Sequence, residues 1–305
     1  MNIIKPPREI SSRHFLSLGA VGWVYKIDDR IALKYPRQPG CAKFAHEIKI
    51  FDILERHSPP PDIVQSFLRV PEGNFLALLS GGTLDQRLRA HQIRDGDGPW
   101  GRVVHVSKKE PIHLVERWAM ELSNAVAWLE SLGYVHTDIR PPNLLLDSQD
   151  HLKLSDFDCM AEIGTRAEGA TPPWARILGP EAGSEEGTFG FNGARSEQFA
   201  IGSILYCMTR GFEPYEDEDL DHDDTTILER LQHMVFPDLA EMQLDRIIER
   251  CWKGKFALLK DLAAKTKLLC GAVELPRAAS LETEYCLERQ KECQRLVDLG
   301  LLVKD

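Results

Sequence analysis

His136, Asp138 and Asn143 fall within eight positions of one stretch, YVHTDIRPPNLLLD, from Tyr134 to Asp147. An Asp held on a loop can accept a proton from an incoming hydroxyl. An Asn five residues on can offer an amide oxygen to a hard cation. Asp156 of LSDFD comes 18 residues after Asp138, beyond two short apolar runs, NLLLD and HLKLSDF, that read as a strand hairpin. Such a hairpin returns Asp156 to the side of Asn143. A carboxylate and an amide oxygen meeting there would hold Mg²⁺ with room left for phosphate oxygens. His136 suits a structural part, its ring hydrogen-bonded to loop backbone. The competing reading is a polar loop whose Asp and Asn cap turns.

Upstream, SLGAVGWVY puts Gly19 and Gly22 on a strand-turn-strand. Small residues let backbone N–H groups come close to phosphate. A plain hairpin turn accounts for the same glycines. Lys34 in RIALKY is a lone cation in an apolar strand, and a buried charge without a partner is costly. Glu47, on the helical run that follows, can supply the partner, although a solvated helix face suits it as well.

The elements that must carry these residues divide near residue 81. Residues 13–80 read as strands with one helix among them. VGWVYKI and RIALKY are separated by the turn signal Asp28-Asp29. KFAHEIKIFDILERH has Phe44, Ile48, Phe51 and Leu54 near helical spacing, and SPPPD stops it. DIVQSFLRV and NFLALL flank PEGN as a second hairpin. From residue 81 the pattern turns helical. GTLDQRLRAH reads as a short helix, and IRDGDGPWGRVVHVSKKE as a polar surface insertion. PIHLVERWAMELSNAVAWLESLGY is amphipathic, with Leu114, Trp118, Leu122, Val126 and Leu129 on one face. SEQFAIGSILYCMTRG is apolar nearly all round, which predicts a buried helix. Further helices fit 226–235, 239–252 and 255–270.

The bulk composition narrows the functions. The chain has 305 residues, with 43% apolar and 28% charged, ordinary for a globular protein. Its net charge of −10 argues against nucleic acid and anionic membranes as partners. Seven scattered cysteines contain no C-x-x-C pair, which favours free thiols in a reducing compartment over zinc or redox sites. MNIIKPPREI lacks a secretory apolar core, and no apolar run approaches the roughly 20 residues of a membrane span. A soluble intracellular protein, cytoplasmic or nuclear, is expected.

In order and spacing these pieces resemble the eukaryotic protein kinases over residues 13–270. SLGAVGWV looks like the Gly-rich loop and IALK like V-A-I-K. HTDIRPPN resembles H-R-D-L-K-x-x-N, and DFD resembles D-F-G. GPE (179–181) looks like A-P-E, SEQFAIG like S-D-x-W-S-x-G, and GFEPY like G-x-x-P-F. CW at 251–252 fits the late part of the large lobe. The layout and ILGPEAG also look like kinase-like proteins of filamentous fungi. The resemblance implies an α+β, two-lobed fold: a small β-rich lobe with one helix (13–80) and a larger helical lobe (81–270). Residues 1–12 and 271–305 would be extensions.

By the same resemblance Gly19 and Gly22 cover ATP phosphates, and Val24 and Ala32 sandwich the adenine. Lys34, paired with Glu47, holds the α- and β-phosphates. Asp138 deprotonates the acceptor hydroxyl, and Arg140 stands where a Lys touches the γ-phosphate. Asn143 and Asp156 hold Mg²⁺, and Glu181 ties the activation segment to an Arg. The implied activity is phosphoryl transfer from ATP to a protein Ser/Thr hydroxyl.

Departures from the pattern qualify this reading. Thr137 replaces the Arg that reads an activation-segment phosphate, which implies activity independent of that phosphate. Asp158 replaces the Gly of D-F-G, Glu197 an Asp, and Ser17 a loop Gly. Thr137, Asp158 and Glu197 motivate a rival reading, a pseudokinase or scaffold module, which the intact Lys34, Asp138, Asn143 and Asp156 oppose. A small-molecule kinase of the aminoglycoside or choline type, where DFD is also at home, is a third.

Two features lie outside the motif set. EPYEDEDLDHDD carries seven acids between Glu213 and Asp223. It suits a docking site for basic substrate residues, or a solvated loop. In SLETEYCLERQKECQRLVDLGLLVKD, Ser280 can cap a helix ended by Gly300. Its stripe of Leu281, Tyr285, Cys293, Leu296 and Val297 is expected to pack on the large lobe, with partner binding as the alternative.

Overall fold

The computed structural model describes residues 7–95, 101–169, 171–219 and 224–303. After one helical turn, α1 (Arg8–Ser11), come β1 (His14–Leu18), β2 (Gly22–Lys26), β3 (Ile31–Pro36), β4 (Ser66–Val70) and β5 (Gly73–Ala77). They form one antiparallel sheet in the order β1-β2-β3-β5-β4. The β2–β3 turn is held by Asp28, whose carboxylate accepts the backbone N–H groups of Arg30 and Ile31. β3 is buried along its whole length. Its alternation splits two jobs: Ile31, Leu33 and Tyr35 join an apolar layer on one face, while Lys34 points to the other.

Helix α2 (Ala42–Arg56) joins β3 to β4. Its buried face is Phe44, Glu47, Ile50, Phe51 and Leu54. Ile48, expected on that face, is only half-buried. The 3.6-residue repeat brings position 47 inward instead, so the apolar pattern concealed a buried carboxylate.

The second lobe begins with α3 (Leu84–Arg89). Thr83 and Gln86 close its N-terminus as a reciprocal capping box. The expected polar insertion contains a hairpin, β6 (Gln92–Arg94) with β7 (Val103–Val106). Val103 is buried and bonds to the Glu216 carbonyl, so the hairpin is docked on the lobe. α4 (Ile112–Ser131) buries Trp118, Leu122, Val126 and Leu129 as the spacing predicts.

Then come β8 (Tyr134–Val135), the hairpin β9 (Leu144–Leu146)–β10 (Leu152–Leu154), and β11 (Ala161–Glu162), which pairs with β8. Glu121 of α4 fixes that hairpin, its carboxylate meeting the His151 ring at 2.7 Å and the Leu152 N–H at 2.8 Å.

Helix α5 (Ala194–Arg210) is buried on nearly every side. Gly202 lets it close on α7 (Gln243–Trp252): a Cβ there would lie 2.9 Å from Trp252 Cδ1 and 3.0 Å from Cys251 Cβ. α6 (Asp224–Gln232), α8 (Leu259–Thr266), α9 (Cys270–Glu274) and α10 (Thr283–Asp298) complete the chain. No helix among the described residues is long and apolar enough to cross a membrane.

The C-terminal helix overturns one expectation. α10 docks on the small lobe, with Cys293 (0% exposed) and Leu301 (5%) in one core with Ile10, Leu33, Tyr35, Phe67 and Phe75. Tyr285 meets the Phe67 ring edge-on at 6.2 Å. The β3 residues facing away from Lys34 need an apolar cover, and this stripe supplies it. Leu281 lies outside the contact and is exposed. The helix begins at Thr283 with Glu282 at its cap, so Ser280 does not cap it; Gly300 does end it, at φ 91°. Leu301→Ala is expected to cost about 2–4 kcal/mol of stability and Leu281→Ala under about 0.5, read from denaturant midpoints.

Candidate active site

Lys34 is brought to two carboxylates from different parts of the chain. Its Nζ lies 2.7 Å from Glu47 Oε2 on α2 and 2.6 Å from Asp156 Oδ1. Lys34 is 5% exposed and Glu47 1%, which rules out a solvated face for Glu47. The Lys34–Glu47 contact is an ion pair without hydrogen-bond alignment, and neither Glu47 oxygen has a hydrogen-bond partner. Burial pushes the Glu47 carboxyl up to about 7, against the pull of Lys34. Asp156 moves the other way: the Lys34 cation and its hydrogen bond hold it low, overcoming burial. Lys34 is itself raised, because the two carboxylates outweigh its desolvation.

Asp156 takes the left-handed conformation, φ 67° and ψ 71°. That turn starts at the end of β10 and aims the carboxylate back at Lys34. The next ring, Phe157, is fully buried between Phe51 of α2 and His136, each 5.2 Å away by centroid. Asp158, in place of Gly, does not have a left-handed φ, so the backbone there tolerates a side chain. Its carboxyl is buried and its pKa is raised, first by desolvation and then by Asp156.

The loop carrying Asp138 is held through its backbone. Glu197, at the buried start of α5, accepts the His136 N–H at 2.9 Å and the Thr137 N–H at 3.0 Å. The His136 ring donates from Nε2 to the Ser155 carbonyl at 2.9 Å, and its Nδ1 accepts the Asp138 N–H at 3.3 Å. One imidazole with one proton satisfies both bonds. Thr137 sits at φ 66°, an unusual conformation for a β-branched residue, and its hydroxyl donates to the Cys159 carbonyl at 2.7 Å. His46 of α2 donates to the Met160 carbonyl at 2.8 Å. The segment after Asp156 is thereby tied to both the loop and α2.

Asn143 donates its amide to the Asp138 backbone carbonyl and to Asp138 Oδ2, both at 2.8 Å. Both bonds use the nitrogen, which leaves Asn143 Oδ1 for another partner. Arg140 Nε lies 3.1 Å from Asp138 Oδ2, with the Arg side chain 40% exposed. Gly22 has a steric reason to be glycine: a Cβ would lie 3.0 Å from the Tyr35 carbonyl and 3.1 Å from Lys34 Cγ. Gly19 does not, since its Cβ would meet nothing closer than 3.7 Å. Val24 pairs across the sheet with Lys34, and Ala32 lies two residues before Lys34 on β3, buried.

The Arg that spacing left unassigned is Arg176, 2.6 Å from Glu181. Ser155, Cys159 and His46 are positioning residues without a motif signature, visible only once the loops close. A cavity of about 620 Å³ opens beyond Thr137, lined by Asp158, Trp174, Arg176 and Phe199; it does not include Lys34. The acidic stretch is partly neutralised, with Glu213, Glu216 and Glu218 facing Arg89, Arg94 and Arg230. Asp221 and Asp223 lie outside the described residues.

Residues 37–258 match the family described as protein tyrosine and serine/threonine kinase. The chain belongs to that family, and its two lobes are those of the protein kinase fold. It is 32% identical over 184 residues to CBL-interacting protein kinase 8 of Oryza sativa subsp. japonica, covering 57% of this chain and 36% of that one. It is 37% identical over 102 residues to CBL-interacting serine/threonine-protein kinase 8 of Arabidopsis thaliana, covering 33% and 22%. With Rho-associated protein kinase 1 of Homo sapiens it shares 32% over 133 residues, 40% and 10% of the two chains. The matches thus span about a third or less of these relatives' lengths.

Glu197→Ala would leave two buried N–H groups without an acceptor. A loss of about 2–5 kcal/mol in unfolding free energy is expected, measured by urea denaturation.

Proposed function

We propose that the chain transfers the γ-phosphoryl group of ATP to serine or threonine hydroxyls of a protein. The observation that carries this is the convergence of Lys34, Glu47 and Asp156, joined to the Asp138–Asn143 pair through Ser155, whose hydroxyl and N–H both donate to the Asn143 carbonyl. The family supports a protein substrate, and the names of the relatives support Ser/Thr acceptors. The basic residue two positions after Asp138, Arg140, supports the same preference.

The residues fit Mg-ATP. Two carboxylates share one lysine, and Asn143 Oδ1 is unused by the bonds that fix its amide. Such a hard oxygen set suits Mg²⁺. Bound Mg-ATP supplies the phosphoryl group and the cation that neutralises its charge. Gly22, with Gly19, lets backbone N–H groups approach the phosphates, while Val24 and Ala32 flank the base. Lys34, oriented by Glu47, neutralises phosphate oxygens. Asn143 and Asp156 turn their oxygens to the cation. Asp138 orients the acceptor hydroxyl and takes its proton, and Arg140 adds positive charge at that point. Residues 13–270 form the catalytic body in this reading. Seven free cysteines suit a reducing compartment.

Activity is proposed not to require a phosphate on the activation segment. The supporting contacts are Thr137 Oγ1 to Cys159 and His46 to Met160, which hold that segment without any phosphate. Phosphatase-treated and untreated enzyme are expected to have equal kcat; a phosphate-dependent rise would refute this. Thr137→Val is expected to lower kcat about tenfold with the fold retained, since it keeps the shape but breaks the tie.

Transfer of labelled phosphate from Mg-ATP to a degenerate Ser/Thr/Tyr peptide library tests the reading. Asp138→Ala is expected to lose at least about 10³-fold in rate. Equal labelling by both proteins would favour a pseudokinase or a small-molecule acceptor.

The acidity of Glu47 sets the pH dependence. Its raised pKa means that the folded chain binds this proton more tightly than the unfolded one, so ionisation costs folded stability between pH 4.5 and about 7. The ion pair needs the ionised form. The kcat/KM for ATP is therefore expected to fall below about pH 7, with that limb absent in Glu47→Gln.

A further inference from the structure

The last part of the chain is anchored on both lobes. α9 is pressed against α4 of the large lobe: the Gly271 N–H donates to Glu116 at 2.7 Å, and a Cβ on Gly271 would lie 1.8 Å from the His113 carbonyl. Arg117 reaches the Pro276 carbonyl. After a largely exposed span of six residues, 277–282, α10 and the turn after it dock on the small-lobe sheet through Cys293 and Leu301. Leu302 packs over Gly73 of β5, where an added Cβ would lie 3.5 Å from its Cδ1. The small-lobe anchor covers Ile31, Leu33 and Tyr35, which alternate with Lys34 on β3. A second connection, on the far face from the site, therefore joins the lobes besides the chain running from β5 to α3.

We propose that residues 270–302 form an intramolecular strap that limits how far the lobes can open and thereby slows nucleotide release. Six residues reach at most about 20 Å even when fully extended, so a short span between two fixed anchors bounds the separation of the lobes. The opening of such a cleft commonly limits product release. The restraint rests on the two anchors; only its effect on nucleotide rests on the proposed use of ATP.

The test keeps the full chain and slackens the span. Residues 278–281 are replaced by a flexible Gly/Ser segment of about 20 residues, whose r.m.s. reach is about 25 Å. Fluorophores are placed through non-natural amino acids at Asp29 and Lys260, both exposed and one on each lobe. Single-molecule energy transfer is expected to show a broader, more open inter-lobe distribution in the slack chain. Amide exchange in β3 and β5 should stay unchanged, showing α10 still docked. Release of a fluorescent ADP with Mg²⁺ is expected to be at least about threefold faster. Leu301→Glu, which undocks the helix with the span intact, should broaden the distribution in the same way. An unchanged distribution in the slack chain would overturn the strap. So would broadening by Leu301→Glu alone, which would assign the effect to docking and not to the span. A broadened distribution with no ADP bound to any variant would uphold the strap and refute the ATP reading.

Discussion

A lysine buried in a β-sheet has to be neutralised, and much of this structure is organised around Lys34. Its ammonium is almost fully withdrawn from water and faces two carboxylates. Desolvating these charges separately would cost several kcal/mol each. The pairing therefore sets where α2 must lie, because Glu47 has to reach inward past Phe44 and Phe51. It also accompanies the turn after β10, where Asp156 meets Lys34 from a left-handed conformation. Two neighbouring elements and a turn 122 positions further on are thus held to one charge. The resting arrangement is a compact, mutually compensated cluster with one carboxylate more than the lysine needs.

The loop carrying Asp138 is held by a different device. Asp138 lies beside a residue with positive φ, a conformation that the isolated chain disfavours for threonine. Glu197 compensates by accepting two consecutive backbone N–H groups, and its own carboxyl is raised by burial. The longer arm of Glu at a position where Asp is usual in the resembled pattern still makes both bonds. The changes at Thr137, Asp158 and Glu197 are therefore accommodated by the surroundings. Thr137 gains a carbonyl partner, Asp158 occupies ordinary backbone space, and Glu197 keeps a two-pronged anchor.

Much of this was legible in the residues themselves. The helices around Trp118 and Ile201 show in their periodicity, because a buried helix must repeat its apolar positions. The hairpin between Asn143 and Asp156 shows in two apolar triplets and a turn. Less legible was Glu47. Periodicity counts apolar residues, and a carboxylate on the inner face registers as a break in the pattern. The C-terminal helix was misplaced for a related reason. Its stripe says that something apolar must cover it but carries no information about which lobe does.

The sequence by itself determined the chemical inventory and its local settings. These include a lysine in an apolar strand, an Asp and an Asn five residues apart, a second Asp just past a hairpin, and a buried helix with Glu197 in its first turn. Those settings depend on short-range pattern, which propensity and spacing encode. Only the tertiary structure decided the partners. Lys34 meets Asp156 across 122 positions, Glu197 finds the His136 and Thr137 N–H groups some 60 positions back, and Arg176 answers Glu181. It also decided that α10 covers the back of the strand that presents Lys34. Such choices follow from packing complementary surfaces and from the cost of leaving buried charges and donors unpaired, and both act between segments whose separation in sequence says nothing about their distance in space.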